Sequence, residues 1–177
     1  MKFYMSATKH IAVNKNVIKR GKEEKPLRAA FYKEEEGVTH LYFTPSELYY
    51  YTELAEMATW YLYIAVNDTC IDGTEKTFGP ESLVTFEVVD NMDSSKCELL
   101  TGSNLQGAQG RYTISKNGEG NYTADILVSM NGSGYKVEFD GECISHLLEP
   151  EKKTNFLSYK GEEYTVSGAI LSVVDGI

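Results

Sequence analysis

Glu138, Asp140 and Glu142 alternate along the stretch Lys136-Val137-Glu138-Phe139-Asp140-Gly141-Glu142. On a strand, residues two apart share a face at a rise of about 3.3 Å per residue, so neighbouring carboxylates would stand roughly 6–7 Å apart. That is close to the spacing of paired glycosidase carboxylates, which makes acid/base hydrolysis one reading. A solvated face is the preferred reading. Lys136 continues the series, and a catalytic pair needs a cleft that raises one pKa. Other reactive groupings are sparser. Asp68, Asp72 and Gly73 resemble part of a calcium loop but lack its alternate ligands and distal glutamate. Asp90, Asn91 and Asp93 form a second oxygen-rich turn, and both are read as Asx-turns. His10, His40 and His146 are scattered. Cys70, Cys97 and Cys143 have no zinc spacing, leaving open one disulfide plus a thiol or three thiols. Gly132-Ser133-Gly134 lacks the flanks of a nucleophile elbow, and no phosphate-binding glycine motif occurs. The sequence therefore offers no catalytic residue, metal site or cofactor to name.

Aromatic residues are the remaining chemistry. The chain has 13 Tyr, 7 Phe and one Trp. Tyr49, Tyr50 and Tyr51 are consecutive, and Trp60, Tyr61 and Tyr63 follow closely. Flat apolar rings with polar edges suit sugars and protein partners. Three consecutive tyrosines on a helix span about 200°, so at least one must meet solvent. Tyr49, Tyr50, Trp60 and Tyr63 are the candidate ligand-binding residues. The competing reading is a helix packed on a sheet with its hydroxyls reaching water.

The elements that would hold these residues are mostly strands. Three runs within Gly110–Cys143 alternate apolar and polar residues: Tyr112 and Ile114, then Tyr122 to Met130, then Tyr135 to Phe139. Breaks at Asn117-Gly118 and Asn131-Gly132 make this an antiparallel meander with one buried face. Upstream, Val17 and Ile18 end a first strand region, and Gly21 to Pro26 reads as a break. Leu27–Lys33 and Val38–Phe43 form hairpin arms around Glu34-Glu35-Glu36-Gly37. Thr44-Pro45-Ser46-Glu47 has the form of a capping box, predicting a helix over 45–58. The alternative is a short helix over Thr52–Met57, with Leu48–Tyr51 extended. Trp60–Asn67 is apolar on both faces and predicts a central strand. Strands are also expected at Leu83–Val89, Cys97–Leu100, Asn155–Tyr159 and Tyr164–Val174. The whole, 1–177, reads as a single domain: an all-β antiparallel sandwich of about nine or ten strands with one helix. A lipocalin-like barrel is the runner-up.

Composition narrows the partners. Acidic residues number 26 against 17 basic, for a net charge of -9, which argues against nucleic acid. The one basic cluster, Lys15 to Lys25, is diluted by Glu23 and Glu24 and reads as a strand end and turn. No apolar run approaches the length of a membrane span. Tyr4, Ser6, Thr8, Lys9 and His10 interrupt any signal-like core near the start.

The succession of hairpin, Thr44-Pro45-Ser46, short helix and Trp60–Asn67, followed by Gly110–Lys116, Tyr122–Ile126 and Tyr135–Gly141, resembles small β-rich cell-envelope proteins of Bacteroidales. It covers roughly residues 27 to 142. The resemblance implies a β-sandwich or lipocalin-like fold and an exported or envelope setting rather than a cytoplasmic one. It supplies no catalytic residues. The functional expectation is a non-catalytic, envelope-associated module binding a glycan or a protein. The alternatives are a small-ligand carrier and a hydrolase using Glu138 with Asp140 or another acid.

Overall fold

Alternation that buries every second residue must bring two apolar faces together, and the chain does so with two sheets. The computed structural model describes residues 16–78, 84–100 and 109–150, and the backbone of 155–159 and 162–166. Its strands, in chain order, are β1 (Val17–Arg20), β2 (Glu23–Pro26), β3 (Ala29–Glu35) and β4 (Val38–Thr44), then helix α1 (Glu53–Met57) and β5 (Trp60–Asn67). There follow β6 (Lys76–Thr77), β7 (Thr85–Asp90), β8 (Glu98–Leu100), β9 (Gln109–Gly118), β10 (Asn121–Met130), β11 (Ser133–Glu142) and β12 (Ile144–Ser145). The last two, β13 (Asn155–Tyr159) and β14 (Glu162–Val166), pair with each other. Sheet one has the order β2-β1-β11-β10-β9-β6, and sheet two β12-β3-β4-β5-β7-β8. The fold is all-β and sandwich-like, with two open sheets rather than the closed barrel held as runner-up. Its pairing is antiparallel except for β12, which runs parallel to β3. Among the described residues no helix is long and apolar enough to cross a membrane.

The meander supplies one wall of the core. Tyr122, Ala124, Ile126, Val128 and Met130 are all buried along β10, and their even-numbered parity faces Tyr112 and Ile114 of β9 and Tyr135, Val137 and Phe139 of β11 inward as well. Leu41, Phe43, Trp60, Leu62, Ile64, Val66, Phe86 and Val88 form the opposite wall. Rings meet across the gap: Phe43 and Phe139 at 5.6 Å, Phe86 and Tyr135 at 6.0 Å. Full burial of such side chains stabilises by about 1.5–3 kcal/mol each, which makes this interior the main source of stability.

Polar side chains tie the rims of the two sheets. Tyr122 Oη donates to Glu34 at 2.5 Å, and Tyr135 Oη donates to Glu98 at 2.6 Å, each glutamate coming from the opposite sheet. Sheets pack about 10 Å apart, a gap that a phenol can cross. Arg20 of β1 donates to Asp90 of β7 at 2.6 Å, and its guanidinium lies 4.6 Å from the centre of the Trp60 ring.

Several local expectations are corrected. The helix does not start at Thr44. That side chain is buried, donating to the Trp60 carbonyl at 2.8 Å and accepting from the Ser46 amide. No strand or helix forms over 45–52, where 49–52 are bend and turn rather than extended, and the helix is the short one, Glu53–Met57. Glu53 rather than Glu47 reaches back, accepting from the amides of Tyr49 at 2.7 Å and Tyr50 at 3.1 Å. Gly21 to Pro26 is a tight turn followed by β2, whose residues EEKP carry no apolar signal and are recruited by backbone pairing to β1. Asn117-Gly118 belongs to β9. The reversal falls at Glu119-Gly120, and the register shifts at Asn121/Tyr122. Asn131 (φ 48) and Gly132 (φ 78) do form the second turn, with the paired positive φ of type I′. Residues 1–15, 83 and 167–174, within regions read as strand, lie outside the described residues.

Candidate functional site on the outer face of sheet two

Strand β5 alternates as expected. Trp60, Leu62, Ile64 and Val66 point into the core, and Tyr61 and Tyr63 point out. Trp60 is only 2% exposed, so of the four sequence candidates it is removed from any contact surface. Tyr63 stands on the outer face, while Tyr49 and Tyr50 lie in the turn before α1. Tyr49 is 62% exposed and Tyr50 half-buried.

Register gathers a different set around Tyr63. Phe31 of β3, Tyr42 of β4, Tyr63 of β5, Glu87 of β7 and Leu99 of β8 are successive cross-strand partners. They form one row across five strands spaced about 4.8 Å apart. Exposure rises along the row. Phe31 is fully buried, Tyr42, Tyr63 and Glu87 are half-buried, and Leu99 is 50% exposed. The gradient follows the cover. Leu48, Leu54 and Ala58 from the α1 segment pack on Ala29 and Phe31, with Tyr42, Tyr51 and Tyr61 at the margin. Asn91 fixes that cover by donating to the Leu54 and Ala58 carbonyls, both at 2.8 Å. The β7–β8 side carries no comparable cover among the described residues; Met57, at the end of α1, and Met92, in the turn after β7, are exposed.

Within the open part, rings stand against one another. Tyr42 and Tyr63 stack at 4.8 Å and His40 stacks on Tyr63 at 5.9 Å. Their faces are thereby engaged, so the surface presents hydroxyl and imidazole edges. Tyr63 Oη and His40 Nδ1 share a hydrogen bond of 2.7 Å. Burial pushes the Tyr61 phenol up to about 12, reinforced by the nearby Glu87 carboxylate, and raises Tyr63 for the same two reasons. Burial lowers His40, with the Lys33 charge adding to it. Glu87 is pushed above the usual carboxylate range by burial. Among the described residues it has no cation or hydrogen-bond partner; the other carboxylates with a displaced pKa are all drawn down.

The remaining candidates sit elsewhere. Glu138 and Asp140 line a shallow depression of about 260 Å³ on the outer face of sheet one, with Thr113 and Asp125. Glu138 is paired with Lys136 at 2.7 Å. Asp72 accepts from Thr74 and Lys76, and Asp90 from Met92 and Asp93, so both acidic turns are closed by their own hydrogen bonds. Among the described residues no three metal-ligating side chains converge, and all three cysteines are free thiols. Sequence reasoning missed Glu87 and Leu99. The alternation Thr85-Phe86-Glu87-Val88 marks Glu87 as outward, but only register sets it opposite Tyr63. Comparison with protein families, with characterised proteins and with solved structures found no match to this chain.

Proposed function

We propose that the chain is a non-catalytic binding module whose contact surface is the open half of the outer face of sheet two, and that its partner is a protein. The observation that supports this is the exposure gradient from Phe31 to Leu99: a row of three aromatic residues continued by Glu87 and Leu99, which the α1 segment covers only at the Phe31 end. Tyrosine and methionine are enriched at protein interfaces; Tyr63 belongs to the row, and Tyr49, Met57 and Met92 are exposed on the α1 segment and on the turn after β7. Ring faces engaged with one another favour a protein over a stacked sugar. The exposed Tyr49 keeps a glycan as the second reading. Export or attachment to the cell envelope, implied by the resemblance over residues 27–142, belongs to the same proposal and is checked by fractionating the native host.

The carrier and hydrolase readings have less behind them. Tyr112, Tyr122, Ile114, Ile126 and Phe43 fill the space between the sheets, and Glu138 is engaged by Lys136. A photo-crosslinking residue at position 99 in native cells tests the proposal. A defined protein adduct there, absent from position 127 on sheet one and lost with Tyr63→Ala, is the expected result. Equal labelling at both positions would overturn it. Glycan binding lost on Tyr49→Ala would select the second reading.

A further inference from the structure

The charge of the chain is unevenly placed. From Glu34 to Glu75 there are nine acidic residues and no Lys or Arg, so this stretch holds as much net charge as the whole chain, -9. Glu34, Glu35, Asp72 and Glu75 are paired with Lys116, Lys33, Lys76 and Arg111, which leaves Glu36, Glu47, Glu53, Glu56 and Asp68 without an ion pair among the described residues. It spans the end of β3, all of β4, α1 and β5. Strands β7 and β8 also lack Lys and Arg. Strands β4, β5, β7 and β8 and helix α1, which build the open part of the face, therefore carry no permanent cation. The cations at its border are committed: Lys33 is paired with Glu35, and Lys96 lies 3.1 Å from Asp93. Glu47, Glu53 and Glu56 approach from the α1 side, and none of them has an ion-pair partner among the described residues.

From this we infer that the partner segment docking on the outer face of sheet two is cationic, rich in lysine or arginine, with Glu87 and Glu56 as its principal charge contacts and Tyr63 and Tyr49 as its aromatic ones. The inference rests on the docking reading above and adds the partner's chemistry. Charge complementarity carries it. A half-buried carboxylate facing an uncompensated row is stabilised when a cation arrives, the exposed ring of Tyr49 adds cation–π attraction, and Tyr63, its ring faces engaged, offers its edge. The same field would repel an acidic partner, giving selectivity as well as affinity. Glu87, held above the usual carboxylate range by burial, is the group most relieved by such a contact.

Octalysine and octaglutamate peptides, titrated into the ¹⁵N-labelled chain, test this. Octalysine is expected to shift the amides of residues 53–63, 87 and 99, and octaglutamate none of them. Affinity should fall at least tenfold from about 20 to 300 mM salt, as exposed charge pairs are screened. Glu56→Gln with Glu87→Gln should weaken octalysine binding about fivefold or more, whereas Asp125→Asn on sheet one should leave it unchanged. Octalysine shifts centred on sheet one would overturn the inference. An adduct at position 99 that octalysine fails to compete would also overturn it while leaving the docking face standing. Absence of both adduct and shifts would remove the docking reading itself.

Discussion

Tyr122 Oη donates a 2.5 Å hydrogen bond to Glu34 Oε1 across the gap between the sheets, and Lys116 reaches the same carboxylate oxygen. The side chain is fully buried and its hydroxyl reaches Glu34 of the other sheet, so one side chain both fills the core and latches the sheets. Tyr135 repeats the arrangement with Glu98. Burial, and then the glutamate bond, raise both phenols, Tyr135 to about 12. A phenol raised in the folded state contributes stability that is complete below its unfolded pKa of about 10 and is lost as pH climbs through the folded one. Stability should therefore fall steeply above about pH 10, with these phenols ionising as the fold opens. Phenolate absorbance and circular dichroism followed together should move in one step. Separate transitions would contradict this.

Asp90 behaves in the opposite direction. Burial opposes its charge, but Arg20 and the amides of Met92 and Asp93 outweigh burial and hold the carboxyl below its usual range. Its contribution is present above about pH 4, the unfolded value, and disappears as pH falls through the lower folded value. Asp90→Asn should cost about 2–3 kcal/mol at pH 7, because Arg20 loses its close partner between the sheets and keeps only the exposed Glu23 at 3.8 Å. The penalty should shrink towards pH 2. Urea midpoints of both proteins across that range are the measurement, and a constant difference would count against the pairing.

Gly110 and Gly134 make a paired test of packing. A Cβ at Gly110 would meet the Leu127 carbonyl oxygen and the Phe78 ring, both at 2.8 Å, whereas at Gly134 it meets nothing within 4 Å. Gly110→Ala should destabilise by about 1–3 kcal/mol through forced repacking. Gly134→Ala should stay within about 0.5 kcal/mol. Thermal melts of the two variants decide it, and equal effects would show that Phe78 can yield.

Glu87→Gln removes a carboxylate that burial alone disfavours. A carboxyl raised in the folded state opposes folding once pH exceeds its unfolded value near 4.3. The variant should therefore be more stable than the parent at pH 7, with the gain vanishing below about pH 4. Urea titration at both pH values reads this out. A loss of stability at pH 7 would mean that the carboxylate makes favourable contacts that the glutamine cannot.

The later half of the fold was legible because its pattern is a physical demand. A strand with Tyr122, Ala124, Ile126 and Val128 on one side can satisfy them only by burying that side. Trp60 was legible by the same rule. The alternation of β5 places it opposite Tyr63, so grouping both in one binding set conflicted with the strand's own parity. The helix start misled because the Thr44 hydroxyl had a stronger call from the Trp60 carbonyl, a tertiary partner no local pattern announces. β2 was invisible because an edge strand of Glu, Lys and Pro is held by backbone alone, while its charges and proline guard the edge. The candidate face was legible only as separate tyrosines. Its organisation depends on which residue of β7 falls opposite Tyr63 and which of β8 falls opposite Glu87.

The pairing of β1 with β11 sets a schedule for synthesis. Ile18 is fully enclosed in the finished fold and lies opposite Val137. A ribosome adding about 5–20 residues per second delivers those two side chains on the order of ten seconds apart. Throughout that interval β1 has its β2 neighbour but leaves Ile18 and its second edge uncovered, a period in which a chaperone or a wrong edge can reach it first.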